Sequence, residues 1–139
     1  MRTIYSLIII NCYSREAKAT DTDQVIIVQG TGGPSSYVGK KGGMQELTLG
    51  HKSFTKYMIK HLLMHTIGFY HEQNRPDRDQ HIQIFWDDIQ NADKPFFEIR
   101  NSTETFGLPY DYNSIMHYLP NSFVKRGSRQ TIKPKVSPF

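Results

Sequence analysis

The sequence predicts a single α+β domain, and three observations carry that reading. Its 139 residues suit one domain and are too few for two comfortable ones. Strand-like segments come first, one long helical segment follows, and irregular chain fills the remainder. That order differs from the alternation of a parallel βαβ array. Apolar residues are 37% and charged residues 22%, but eight Tyr, eight Phe and one Trp can build a core. Disordered chains are poor in such residues. No apolar run approaches the ~18 residues that span a bilayer, which excludes a helical membrane protein.

The elements follow in order. Arg2, the apolar stretch Ile4 to Ile10 and the small-residue pattern Ala17-Lys18-Ala19 admit two readings. One is a secretory signal, although Arg15, Glu16 and Lys18 crowd its cleavage site; the other is a structural helix or strand opening the domain. Val25 to Val28 is a β-branched run closed by Gly30 and predicts a buried strand. Gly30 to Gly33 with Pro34 predicts a loop. Tyr37-Val38 and Leu47-Thr48-Leu49 are strand candidates separated by Gly39, Gly42 and Gly43.

Ser53 to Phe69 predicts a helix, with Ser53 as its cap and Gly68 near its end. Phe54, Met58, Ile59, Leu62, Leu63, Met64 and Ile67 leave only a narrow charged stripe at Lys56 and Lys60. A helix so apolar is expected to be mostly buried. A polar turn, Asn74 to Asp79, comes next. Ile82 to Trp86 alternates like a strand, and Asn91 to Ile99 predicts a short helix despite Pro95. The rest reads as irregular, without repeat or linker.

The formal charge is +4, from 17 basic and 13 acidic residues. Apart from a loose cluster at Lys125, Arg126, Arg129, Lys133 and Lys135, the basic residues are scattered. A nucleic-acid binder concentrates them, so no nucleic-acid partner is expected. Cys12 is the one cysteine and has no partner within the chain. Alone, that favours a reducing compartment.

His61, His65 and His71 carry the chemistry. Helical residues four apart share a face, so His61 and His65 can aim at one point. Gly68 accepts a positive φ and lets the chain turn, bringing His71 to the same point. Three neutral imidazoles leave a coordination position open, the pattern of a catalytic zinc site. One zinc per chain is the expected cofactor.

His61-Leu-Leu-Met-His65-Thr-Ile-Gly68-Phe-Tyr-His71-Glu72 resembles the metzincin zinc motif HExxHxxGxxH. Its continuation, Gln73-Asn74-Arg75-Pro76-Asp77-Arg78-Asp79, resembles the astacin family in particular. Tyr112-Asn113-Ser114-Ile115-Met116-His117-Tyr118 resembles that family's Met-turn, and the similarity runs from about Cys12 to Ile132. The resemblance implies a two-lobed zinc endopeptidase domain, secreted and monomeric, with a peptide or protein bound in its cleft. Residues 1–71 would be the N-terminal lobe, with the zinc-site helix at about 53–69. Residues 72–139 would be a partial C-terminal lobe, and the domain would be truncated at both ends.

The resemblance also implies roles. His61, His65 and His71 would hold zinc, with Tyr118 as a weak further ligand and oxyanion stabiliser. Met116 would form an apolar base beneath the metal. Glu72 would meet the N-terminus of an activated enzyme. Ser35, Ser36 and Tyr37 would belong to the edge strand that pairs with extended substrate.

Leu62 stands where the motif has Glu. That carboxylate takes a proton from the attacking water and delivers it to the leaving amine, and leucine can do neither. The resemblance further implies two disulfides. Cys12 would match half of one, while Pro34 and Ser53 stand at the positions of the other. Losing such a bridge typically costs about 2–5 kcal/mol. Asn101-Ser102-Thr103 is a glycosylation sequon. The expected function is therefore a zinc-binding peptidase domain of strongly reduced or no activity. Two alternatives stay open: an active secreted metalloendopeptidase, and a non-catalytic binding module or decayed gene product.

Overall fold

The computed structural model describes residues 18–50 and 55–136. The signal-like stretch and Cys12 lie outside the described residues, as do Ser53 and Phe54. Three strands form the first sheet: β1 (Gln24–Gly30), β2 (Ser35–Ser36) and β3 (Met44–Gly50), in the order β1-β3-β2. β1 runs parallel to β3 and β2 antiparallel to it. The expected strand at Tyr37-Val38 is corrected to Ser35–Ser36. Beyond Ser36 the backbone leaves the sheet because the Gly39 N–H is committed to the His65 carbonyl at 2.8 Å. Gly39, with φ of 76°, then turns the chain toward β3.

The single α-helix among the described residues, α1, spans Lys56–Thr66, and Thr55 Oγ1 accepts from Met58 N at 3.1 Å to cap it. It begins later than expected, and Thr55 does the capping expected of Ser53. It lies across β2 and β3. Leu62 joins Leu47 and Leu49 in a buried cluster flanked by Met58 and Ile59. Two burial expectations fail here for one reason. α1 packs chiefly on β2 and β3, and Val25, Ile26 and Ile27 of β1 are exposed rather than buried. The outer face of α1 is likewise uncovered among the described residues: only Leu62 and His65 are buried, and Leu63 and Ile67 are exposed.

The second half is built from short pieces. Antiparallel β4 (Ile82–Ile84) and β5 (Ile132–Pro134) close it, with 3-10 turns at Glu72–Asn74, Arg78–Gln80, Trp86–Asp88 and Asn91–Phe97. The strand expected to reach Trp86 stops at Ile84, and β5 falls where the sequence reads as irregular. Asn91–Phe97 is a 3-10 helix and not an α-helix; Pro95 inside it has no N–H to give the ladder. Ile82, Ile89, Phe97, Tyr110 and Ile132 form the second core.

The polar stretch after His71 is turned inward. Asn74 Nδ2 donates to the carbonyls of Phe96 and Glu98 at 3.0 and 2.7 Å. Arg78, 3% exposed, donates through Nη1 to the carbonyls of Gln73 and Phe97 at 2.9 and 2.8 Å. These bonds replace water for main-chain groups that no strand satisfies. No helix among the described residues is long and apolar enough to cross a membrane.

Candidate metal centre

α1 presents His61 and His65 one turn apart, and Gly68 at φ 108° reverses the chain behind them. His71 then enters from the other side. Its Nε2 lies 3.1 Å from His65 Nε2 and 3.3 Å from His61 Nε2. His61 Nδ1 lies 2.8 Å from the Ile115 carbonyl, and His65 Nδ1 lies 2.8 Å from the Phe69 carbonyl. A carbonyl only accepts, so each of these rings carries a hydrogen on Nδ1 and, in its neutral form, turns a bare lone pair inward. Lone pairs so close repel one another unless a cation, or a hydrogen on His71 Nε2, lies between them.

A tetrahedral zinc ion with bonds of about 2.0–2.1 Å sets its ligand nitrogens roughly 3.3–3.4 Å apart. The observed separations fit that spacing. The three rings form the cation-competent group found among the described residues. Burial, then the neighbouring His65 and His61 rings, holds the His71 pKa down at about 3. Burial also lowers His65. His65 and His71 are thus held in the neutral form, the form that ligates.

The segment after His71 carries three more of the predicted residues, Glu72, Met116 and Tyr118. The Tyr118 ring stands 4.5 Å from the His71 ring, and burial raises its pKa to about 12. Met116 is 3% exposed, and its carbonyl accepts from Glu72 N at 3.0 Å. Glu72 Oε1 accepts from Arg75 Nη1 and from Asp111 N, both at 2.9 Å. Leu62 is placed differently from its histidine neighbours: 2% exposed, it packs with Leu47 and Leu49 beneath the sheet. Ser35 and Ser36 form the β2 edge, where Ser36 Oγ bonds Thr66 Oγ1 of α1 at 3.0 Å. Tyr37 lies beyond the strand, with Lys41 Nζ 4.4 Å from its ring centroid.

Sequence reasoning missed two contributors. Gln73 is fully buried, and its Oε1 accepts from Tyr118 N at 3.0 Å, tying the chain after His71 to the Met-turn segment. Nothing in a run of polar residues marks it. Tyr57 donates to the Ile115 carbonyl at 3.1 Å, the same oxygen that receives His61. Its signal was available: it precedes His61 by one helical turn.

The sequence model of the peptidase family Astacin matches residues 3–139. The chain belongs to the astacin family. It is 43% identical over 130 residues to zinc metalloproteinase nas-6 of Caenorhabditis elegans, covering 92% of this chain and 37% of that protein. It is 38% identical over 126 residues to the astacin-like metalloendopeptidase of Gallus gallus, covering 90% of this chain and 31% of the relative. The chain thus spans about a third of the length of these two relatives. Among solved structures it is similar to high choriolytic enzyme 1, a hatching enzyme zinc-protease of Oryzias latipes. That match has a TM-score of 0.81 and 37% identity, covering 87% of this chain and 60% of the other. The α+β astacin fold expected from the sequence is the fold observed, present in part.

Proposed function

We propose that this astacin-family domain binds one zinc through His61, His65 and His71 and has strongly reduced or no peptidase activity. The observation that carries the zinc reading is the trio of converging Nε2 atoms, with His61 and His65 turning Nδ1 to main-chain carbonyls. Bound zinc supplies a Lewis acid that polarises a peptide carbonyl and makes water acidic enough to attack at neutral pH. The chain's own residues do the rest. Tyr118, beside His71, offers a hydroxyl whose raised pKa keeps it protonated, so it can donate to a developing oxyanion. Met116 closes the floor. The β2 edge lays out extended peptide by main-chain pairing. The cleft lies between the lobe of residues 1–71 and that of residues 72–139, and Glu72 waits for the N-terminus of an activated form.

Proton transfer is the missing part. Leu62 holds no proton, and its side chain is built into the Leu47–Leu49 cluster. A positioned acid–base group contributes about 10²–10⁴-fold, so its loss leaves little hydrolysis. The domain is read as secreted and monomeric, like the extracellular peptidases it resembles, and a peptide or protein is its cleft ligand. As a binding module it would use the same edge and the same metal.

The test is zinc analysis of purified, folded protein beside a casein-type peptidase assay, with Leu62→Glu as the comparison. Bound zinc, an inert parent and an active Leu62→Glu support the reading. A zinc-loaded parent as active as folded, zinc-loaded Leu62→Glu contradicts it and favours an active metalloendopeptidase.

A further inference from the structure

We propose that Asn101 is an acceptor for N-linked oligosaccharide, placed beside the segment that delivers His71. The proposal rests on the reading of the domain as secreted, because the donor sugar lies on the lumenal side of the secretory membrane. Asn101-Ser102-Thr103 is the one Asn-x-Ser/Thr triplet in the sequence, and Ser102 is not the Pro that would block it. Chance produces such triplets often, and what decides is how the chain presents them.

This one lies in a tight turn. Thr103 N donates to the Arg100 carbonyl at 3.1 Å, and Thr103 Oγ1 donates to the same oxygen at 2.7 Å. Arg100 N is anchored on the Asn74 carbonyl at 2.8 Å, so the root of the turn is fixed by a buried residue. Asn101 and Ser102 are exposed, in no strand or helix. The Asn101 amide has no hydrogen-bond partner among the described residues, so modification breaks no contact there. The Arg100 guanidinium stands 5.7 Å from the centroid of the Tyr70 ring, and Tyr70 is itself exposed next to His71. A glycan here rises beside the chain that carries the third histidine, where it limits what can approach.

The modification is a group transfer from a lipid-pyrophosphate-linked oligosaccharide by a membrane-bound transferase. The Asn101 amide nitrogen attacks the anomeric carbon and a C–N bond forms. The anomeric C–O bond breaks, its electron pair leaves with the lipid pyrophosphate, and one amide proton passes to a base of the transferase.

The full chain, translated with microsomes both as it stands and behind a cleavable leader, tests this. Protease protection reports entry independently of glycosylation. The expected result is that the protected chain gains one glycan, removable by peptide N-glycosidase. Asn101→Gln and Thr103→Ala abolish it, and Thr103→Ser keeps it, which separates recognition of the hydroxyl from any folding effect. A protected chain without glycan overturns the proposal. If the leader-bearing chain is protected and glycosylated, the acceptor assignment stands whether or not the chain enters without that leader, so entry and acceptor are read separately.

Discussion

Leu62 and its neighbour His61 differ by one position and by their whole chemistry. His61 faces the metal centre, and Leu62 fills the space under β3. A carboxylate introduced at 62 therefore begins in an apolar setting. Keeping a protonated carboxyl there costs about 1–3 kcal/mol of stability, and burial raises its pKa. Leu62→Glu should accordingly melt earlier than the parent while raising kcat/KM by about 10²–10⁴-fold. Urea unfolding and a peptidase assay on the same zinc-loaded samples read the two effects. Gln73 makes a second prediction at this scale. Gln73→Leu keeps the volume but leaves the Tyr118 N–H buried without its acceptor, at a cost of about 1–3 kcal/mol. An unchanged urea midpoint in that variant contradicts the assigned bond.

At the scale of elements, α1 shows what a one-dimensional reading captures and what escapes it. The i,i+4 histidines and Gly68 needed only helical geometry and a glycine turn, and all three stand where that geometry puts them. The start of the helix did not, because Ser and Thr at 53 and 55 are equivalent caps on paper. In the structure Thr55 makes the bond to Met58 N. Thr55→Ala should cost about 1 kcal/mol, and Thr55→Ser should recover most of it. Thermal melting checks both. Burial was the least legible property. The apolar faces of β1 and α1 are inherent in the sequence, but which of them is covered depends on neighbours brought by tertiary structure. β5 was illegible because its three residues, one of them proline, carry no alternation to read.

At the scale of the molecule, two cores meet through hydrogen bonds around the metal centre. Tyr57 and His61 of α1 share the Ile115 carbonyl, and Glu72 N reaches the Met116 carbonyl. The buried His65 and the partly buried His71 and His117 make this junction sensitive to acid. His71 titrates at about 3, and His65 and His117 are also held down by burial, whereas an unfolded histidine titrates near 6.5. Below pH 6.5 the unfolded chain binds protons that the folded, metal-free chain does not. Stability should fall from about pH 6.5 toward about pH 3, before the Arg75-paired Asp77 contributes its own loss below the ordinary carboxylate range. Denaturant unfolding of metal-free protein across that interval measures the slope. A flat profile from 6.5 to 4 contradicts the burial of these rings.

The centre draws on two stretches of chain, with His61 and His65 from the helix and His71 from the segment beyond it. The most direct measurement is therefore the zinc content of the folded chain, with His65→Ala and His71→Ala as companions. One zinc per chain, with sharp loss in each folded variant, is the predicted result. A folded parent without zinc, or folded variants that retain it at the parent's stoichiometry, would contradict the account.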